Sequence, residues 1–205
     1  MKIILVGATG TIGSAVYQLL SERHEVVSVG RSSGDYQVDI SDRKSINDLY
    51  TKIGVFDALA CTAGNVHFAP LEQFSEENYY LGLNDKLMGQ VNLVMLGLKY
   101  IRDKGSFILI SGLLNDDPIL QGVSASMVNG ALEGFVRASA IEMPRNIRIN
   151  LVSPTVIKEA LPVYGSFFPG CKAIAASDAA LGFVKSIEGL QTGRIYRLGW
   201  SRDNY

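Results

Sequence analysis

The sequence predicts an α/β protein: one doubly wound parallel sheet of about seven strands, with helices on both faces. Three observations carry this expectation. Short apolar runs alternate with segments of helical periodicity along all 205 residues, a glycine-rich turn joins the first run to the first helical segment, and no internal repeat, linker or charge block breaks the alternation. Strands that read as continuous apolar runs belong to sheets covered on both sides. The length suits a single domain over residues 1–205, and 47% apolar against 19% charged residues supplies a sizeable core.

Each element has its own signal. Ile3 to Val6 form the first run, closed by Gly7, and Ile12, Ala15, Val16, Leu19 and Leu20 then recur at helical spacing. Residues 25–29 and 37–40 read as the second and third strands, parted by a polar turn through Ser32, Ser33 and Gly34. Ser41 or Asp42 caps a helix carrying Ile46, Leu49, Tyr50 and Ile53, and residues 56–61 are the next buried strand. Ser75 caps a long helix reaching residue 99, apolar on more than one face, which predicts a contact with a second copy in a homodimer or homotetramer. A strand over 107–110, a helix over 124–143, a strand over 147–152, a helix capped by Ser177 or Asp178 and a strand over 194–198 complete the pattern.

Charge narrows the possible partners. Nineteen Lys and Arg against 20 Asp and Glu give a net charge of −1, which provides no drive toward nucleic acid or an anionic membrane. The uncharged stretch 3–21 is interrupted by Gly7, Gly10 and Gly13, so it predicts no transmembrane helix. Cys61 and Cys171 make neither a metal spacing nor a disulfide framework, which points to no metal and to a reducing, cytoplasmic compartment.

The first turn carries the functional signal. In Gly7-Ala8-Thr9-Gly10-Thr11-Ile12-Gly13, Gly7 permits a tight turn, Gly10 lets backbone approach a phosphate, and Gly13 lets the helix lie close on the sheet. A pyrophosphate would sit on the amides at the helix N-terminus. The second strand ends at Gly30-Arg31-Ser32 with no acid to accept from a ribose 2′-hydroxyl, whereas Arg31 suits a 2′-phosphate, so NADP(H) is the expected cofactor. Asp39 suits an adenine amino group and equally a turn or cap.

Together with Val38-Asp39, Thr62-Ala63-Gly64, Ala131-Leu132-Glu133-Gly134-Phe135, Ile147-Arg148-Ile149-Asn150 and Ser153-Pro154, this turn makes the chain resemble the short-chain dehydrogenase/reductase superfamily over nearly its whole length. The resemblance implies that Gly7, Thr9, Gly10, Thr11, Ile12 and Gly13 border the diphosphate. It implies that Arg31, Ser32, Asp39 and Ile40 border the adenosine, Ala63 and Gly64 the inner ribose, and Pro154 to Ile157 the nicotinamide carboxamide. Residues 158–176 would cover the substrate, with Tyr164, Phe167 and Phe168 as an apolar lid.

The catalytic set departs from the family. Ala125 stands at the position of the general-acid tyrosine, Asn129 at that of the lysine, Gly112 at that of the serine and Lys86 at that of the asparagine. Ser111, one place from the expected serine, and Lys86, whose amine can transfer a proton, are the catalytic candidates. His24 suits helix-end carbonyls, His67 borders the cleft without metal-ligand company, and Cys61 suits a buried strand position. Three functions fit: an oxidoreductase with a non-standard proton relay acting on a small apolar carbonyl or enone-type compound, a non-catalytic NADP(H)-binding sensor, and covalent chemistry at the Lys86 amine.

Overall fold

The protein is described here by a computed structural model covering residues 1–201. Its sheet runs β3-β2-β1-β4-β5-β6-β7, every neighbouring pair parallel. The strands are β1 (Lys2–Val6), β2 (Glu25–Gly30), β3 (Tyr36–Gln37), β4 (Phe56–Cys61), β5 (Ile101–Ile110), β6 (Arg148–Pro154) and β7 (Ile195–Leu198). The helices are α1 (Thr11–Ser21), α2 (Arg43–Ile53), α3 (Glu76–Leu81), α4 (Met88–Gly97), α5 (Val123–Glu142), α6 (Leu161–Tyr164) and α7 (Ala176–Glu188). Strand order reverses between β1 and β4, where a doubly wound sheet opens a crevice at its carboxyl edge. Val6 pairs with Val29 on one side and Cys61 on the other, so three strand ends finish level there.

Strand alternation sorts the core into two layers. Ile4, Val6, Leu59 and Phe107 face α2, α4 and α5, where Tyr50, Leu93 and Leu132 are fully buried. Ile3, Leu5, Ala58 and Ile108 face the other way, onto Val16 and Leu20 of α1 and Phe183 of α7. Burial of a side chain of this size contributes roughly 1.5–3 kcal/mol. At the far edge, Trp200 Nε1 donates to the Ser153 carbonyl at 2.8 Å and holds the end of β6 in place.

Several elements differ from their sequence expectation. The third strand covers Tyr36–Gln37, not 37–40, and Asp39 lies beyond it. Val38 still donates to the Gly30 carbonyl, but the Asp39 carboxylate then accepts from the Ser41 amide and hydroxyl and turns the chain out of the sheet. The helix expected over 75–99 is broken into α3, a π-helical turn (Gly82–Leu87) and α4. Ser75 caps α3 in a reciprocal box with Asn78, as its residue type predicts. Of the two candidate caps for α2, Asp42 does the work, accepting from the Lys44 amide at 2.8 Å. α7 begins one residue before Ser177: Glu159 accepts its first amide from Ala176, and Asp178 accepts from Ala175. β5 starts at Ile101, well ahead of 107, with exposed residues on its first turn of chain.

A buried glutamine ties the broken helix to the sheet. Gln90 of α4 is fully buried; its amide accepts from the Ile110 N–H at 2.8 Å and donates to the carbonyls of Ile110 and Lys86, each at 3.0 Å. Gln90→Leu would leave both backbone groups of Ile110 unpaired, at roughly 1–3 kcal/mol for each orphaned group. Urea unfolding should show a loss of about 3 kcal/mol.

Candidate active site

The glycine turn is compressed against the loop that follows β4. Gly7 has φ +85°, and a Cβ there would lie 2.7 Å from Thr62 Oγ1 and 3.0 Å from the Ala63 nitrogen. A Cβ on Gly13 would lie 1.9 Å from the Gly7 carbonyl oxygen. Thr62 Oγ1 itself sits 3.1 Å from the carbonyl oxygens of both Val6 and Gly7, locking the two loops together. α1 is capped by Gly10, which has no side chain to satisfy the first-turn amides, so the N–H groups of Thr11, Ile12 and Gly13 stay available to an anion. Thr9, Gly10 and Thr11 are exposed; Gly13 and, in part, Ile12 are buried as packing residues.

Beside this turn, a cleft is lined by Gly7, Arg31, Asp39, Ile40 and Ala63 from the predicted set, and also by Asn65 and Asp85. Arg31 Nη2 donates to Asp39 Oδ2 at 3.0 Å. Hydrogen bonds from Ser41, with Arg31 adding to them, hold the Asp39 carboxyl below the usual carboxylate range. The ionised carboxylate anchors one edge of the guanidinium and leaves its other N–H groups for a phosphate. Ser32 is exposed and outside the cleft lining; its carbonyl serves Gln37, while the neighbouring Ser33 hydroxyl lies 3.2 Å from Thr9 Oγ1.

A second cavity of about 320 Å³ lies where the carboxyl ends of β5 and β6 meet the 158–176 segment. Lys86, Ser111, Ala125, Asn129, Tyr164, Phe167 and Phe168 line it together with Pro154 and Ile157, whose expected place is beside the nicotinamide, so the structure brings these predicted residues around one cavity. Both ends of the covering segment are pinned, since Ile157 bridges Ile174 and Lys158 donates to the Ile174 carbonyl at 2.8 Å. The Ala125 methyl offers no proton, and Asn129 Nδ2 is spent on the Gly112 carbonyl at 3.2 Å.

The remaining polar groups are unusual for an apolar cavity. Ser111 is 6%, Asn129 2% and Thr155 3% exposed, and Ser111 Oγ, Asn129 Oδ1 and Thr155 Oγ1 have no hydrogen-bond partner among the described residues. Buried polar atoms are ordinarily paired, so these three oxygens carry an unmet hydrogen-bonding capacity in residues that border the cavity. Burial pushes the Lys86 ammonium down from the ordinary lysine range to about 8. Its stem runs under the nucleotide loop: a Cβ on Gly64 would be 2.6 Å from Lys86 Cγ.

Asn65 and Asp85 went unnoticed in the sequence. The Asp85 carboxylate, 6% exposed, accepts from the Asn65 amide at 2.8 Å and from its side chain at 3.1 Å, and so fastens the nucleotide loop to the π-helical turn. That turn is the device that sends Asp85 to one cleft and Lys86 to the other. A polar pair next to Lys86 was the available signal. His67 stacks edge-on against Phe74 and lines neither cleft, and His24 Nε2 meets Glu188 at 3.0 Å instead of helix carbonyls. Cys61 is fully buried, its thiol pushed up to about 12 by burial. Among the described residues no His, Cys, Asp and Glu group could hold a metal, and no helix is long and apolar enough to cross a membrane.

A reversing parallel sheet with a glycine turn at its switch point and an apolar cavity beside it defines a Rossmann-type nucleotide-binding domain. Residues 8–188 match the sequence model of the family described as enoyl-(acyl carrier protein) reductase, and the chain belongs to that family of the short-chain dehydrogenase/reductase superfamily. It is 27% identical to an uncharacterised oxidoreductase of Methylorubrum extorquens, over 88% of this chain and 80% of the relative. It is also 27% identical to the vibriobactin-specific 2,3-dihydro-2,3-dihydroxybenzoate dehydrogenase of Vibrio cholerae, over 78% and 71%. Among solved structures, the protein lin1944 from Listeria innocua superposes with a TM-score of 0.95 at 46% identity, covering 96% of this chain and 98% of that one. A small-chain dehydrogenase in complex with NADPH gives 0.85 at 28% identity, covering 96% and 95%.

The lowered Lys86 pKa has a stability signature. Unfolding restores the ordinary lysine value, so between about pH 8 and that range the Lys86 side chain binds more protons in the unfolded chain, and its own contribution to folding stability rises with pH. Denaturant titrations of wild type and Lys86→Met should therefore differ by an increment that grows in the wild type above pH 8; parallel curves would show that Lys86 titrates normally.

Proposed function

We propose that the protein is an NADP(H)-dependent oxidoreductase that reduces a small apolar carbonyl or enone-type compound held in the 320 Å³ cavity. One observation carries the reading. Gly64 of the nucleotide loop rests on the stem of Lys86, so the nucleotide groove and the apolar cavity meet at an amine. The residues present fit the cofactor: free first-turn amides and a side-chain-free cradle for the diphosphate, and an oriented Arg31 for a 2′-phosphate. When bound, the dihydronicotinamide supplies a hydride. Lys86 and the Ser111 hydroxyl hold the substrate oxygen and stabilise the charge it gains, and the aromatic segment 158–176 keeps water out. The NADPH complex of the 28%-identical neighbour supports the cofactor assignment.

Ala125 and Asn129 can neither give nor take a proton near neutral pH, and this favours a second reading, a non-catalytic NADP(H)-binding protein. Turnover separates the two: NADPH oxidation with an enone panel supports the enzyme, and cofactor binding without turnover on any member selects the sensor. Ordinary ketones should react more slowly than about 1 s⁻¹, because the usual acid is missing. Exposed Met88 and Met95 on α4 and Val123 and Met127 on α5 fit a homodimer or homotetramer, which sedimentation at micromolar concentration would test.

Cofactor preference follows from Arg31. Charge-assisted bonds to a phosphate contribute about 1.5–3 kcal/mol each, so NADPH should bind roughly tenfold to a hundredfold more tightly than NADH. Calorimetric titration should show Arg31→Ala losing that margin for NADPH while NADH affinity hardly moves; equal losses for both would reduce Arg31 to a surface residue.

A further inference from the structure

We infer that Lys86 activates its substrate covalently, condensing with an α,β-unsaturated aldehyde or ketone in the cavity to form an iminium ion that then accepts the hydride at its β-carbon. The inference rests on the reading of this cavity as the substrate site.

Three features of the cavity point to it. First, Lys86 lines a largely apolar cavity and forms no ion pair among the described residues. The ionisable groups around it are Cys61 of β4, Asp85 of the same turn and Tyr164 of the covering segment; Asp85 is occupied by Asn65 and Cys61 is a neutral thiol. Second, Ser111 and Thr155 line the same cavity as Lys86. Hydroxyls placed there can hydrogen-bond the oxygen of a carbinolamine and pass it the protons it needs to leave. Third, Ala125 stands where the family's tyrosine would protonate a carbonyl oxygen during hydride transfer, and an iminium does not require that acid. The lowered pKa agrees: near pH 7.5 about a quarter of such an amine is neutral and nucleophilic, against roughly a thousandth of an ordinary lysine.

The steps balance. The neutral amine adds to the carbonyl carbon, a C–N bond forms, and the former carbonyl oxygen takes up protons and leaves as water, so amine, carbonyl compound and one proton give iminium and water. A dihydronicotinamide is the reductant. Its hydride adds at the β-carbon and converts the iminium to a neutral enamine; a proton then adds at the α-carbon, and water hydrolyses the resulting iminium to the saturated product and free amine. The net reaction consumes one hydride and one proton for one carbon–carbon double bond. A saturated carbonyl compound cannot complete this cycle, because hydride at its iminium carbon would leave the lysine alkylated.

Trapping tests the condensation without any cofactor. The full-length protein is incubated near pH 7.5 with limiting benzaldehyde and sodium cyanoborohydride, and modified lysines are located and timed by peptide mass spectrometry, with exposed Lys44 as internal reference. Benzylation of Lys86 at least tenfold faster than Lys44 is the expected result. Labelling of Lys86 no faster than Lys44 overturns the inference. Because the readout is on wild type, it does not depend on a variant folding; Lys86→Arg, mapped the same way, should leave only the slow surface labelling. NADPH oxidation with an enone is measured in parallel. Rapid trapping without oxidation would leave the covalent site standing and refute the reductase reading, whereas oxidation without rapid trapping would do the reverse.

Discussion

The close approach of two loops at the carboxyl edge of the sheet governs everything else in this molecule. Gly7, Gly13 and Gly64 lack side chains where any Cβ would strike backbone, Thr62 or Lys86. Their absence lets α1 start against the sheet with its amides open and lets the loop after β4 lie between the nucleotide turn and the π-helical turn. The nucleotide cleft and the apolar cavity are consequently neighbours that share a wall. Hydrogen bonds donated by Thr62 on one side and accepted by Asp85 from Asn65 on the other keep that wall in place.

A charge placed at the junction has different consequences on its two sides. In the open groove, Arg31 and Asp39 are half-solvated, and their pairing mainly orients the guanidinium, since exposed ion pairs add little stability. Beside the cavity, Lys86 is partly buried and forms no ion pair among the described residues, which makes the amine easier to deprotonate. Local destabilisation of this kind is common where chemistry is done. Gln90 and Trp200 hold the ends of β5 and β6, and with them Ser111 and Thr155, against a segment that could otherwise relax around the unpaired groups.

Much of this was legible in the sequence, for physical reasons. A buried parallel strand has to be apolar on both faces and a nucleotide turn has to be glycine-rich, so β1, β4, β6 and the turn at Gly7–Gly13 declare themselves. The third strand ends sooner than its apolar pattern suggests because the Asp39 carboxylate turns the chain out of the sheet just after Val38 bonds to Gly30, while Val38 and Ile40 stay buried: burial sets residue type without fixing the strand's end. The π-helical turn was hidden because its residues are as helix-compatible as their neighbours, and the contact that stabilises its outcome, Asp85 with Asn65, spans twenty positions. Lys86, Ser111 and Asn129 could be singled out from the sequence, but that Ser111, Asn129 and Thr155 carry buried oxygens without hydrogen-bond partners among the described residues is visible only in three dimensions.

The proposed function and the covalent inference both rest on Lys86 as the reactive group of the apolar cavity. The most direct measurement is the single-turnover rate of NADPH oxidation by an apolar enone in wild type and Lys86→Met, with NADPH affinity measured alongside. The rate should fall by about 10²- to 10⁴-fold, the usual scale for removing a proton-transfer or charge-stabilising group, with NADPH binding almost unchanged. Equal rates in the two proteins would contradict it.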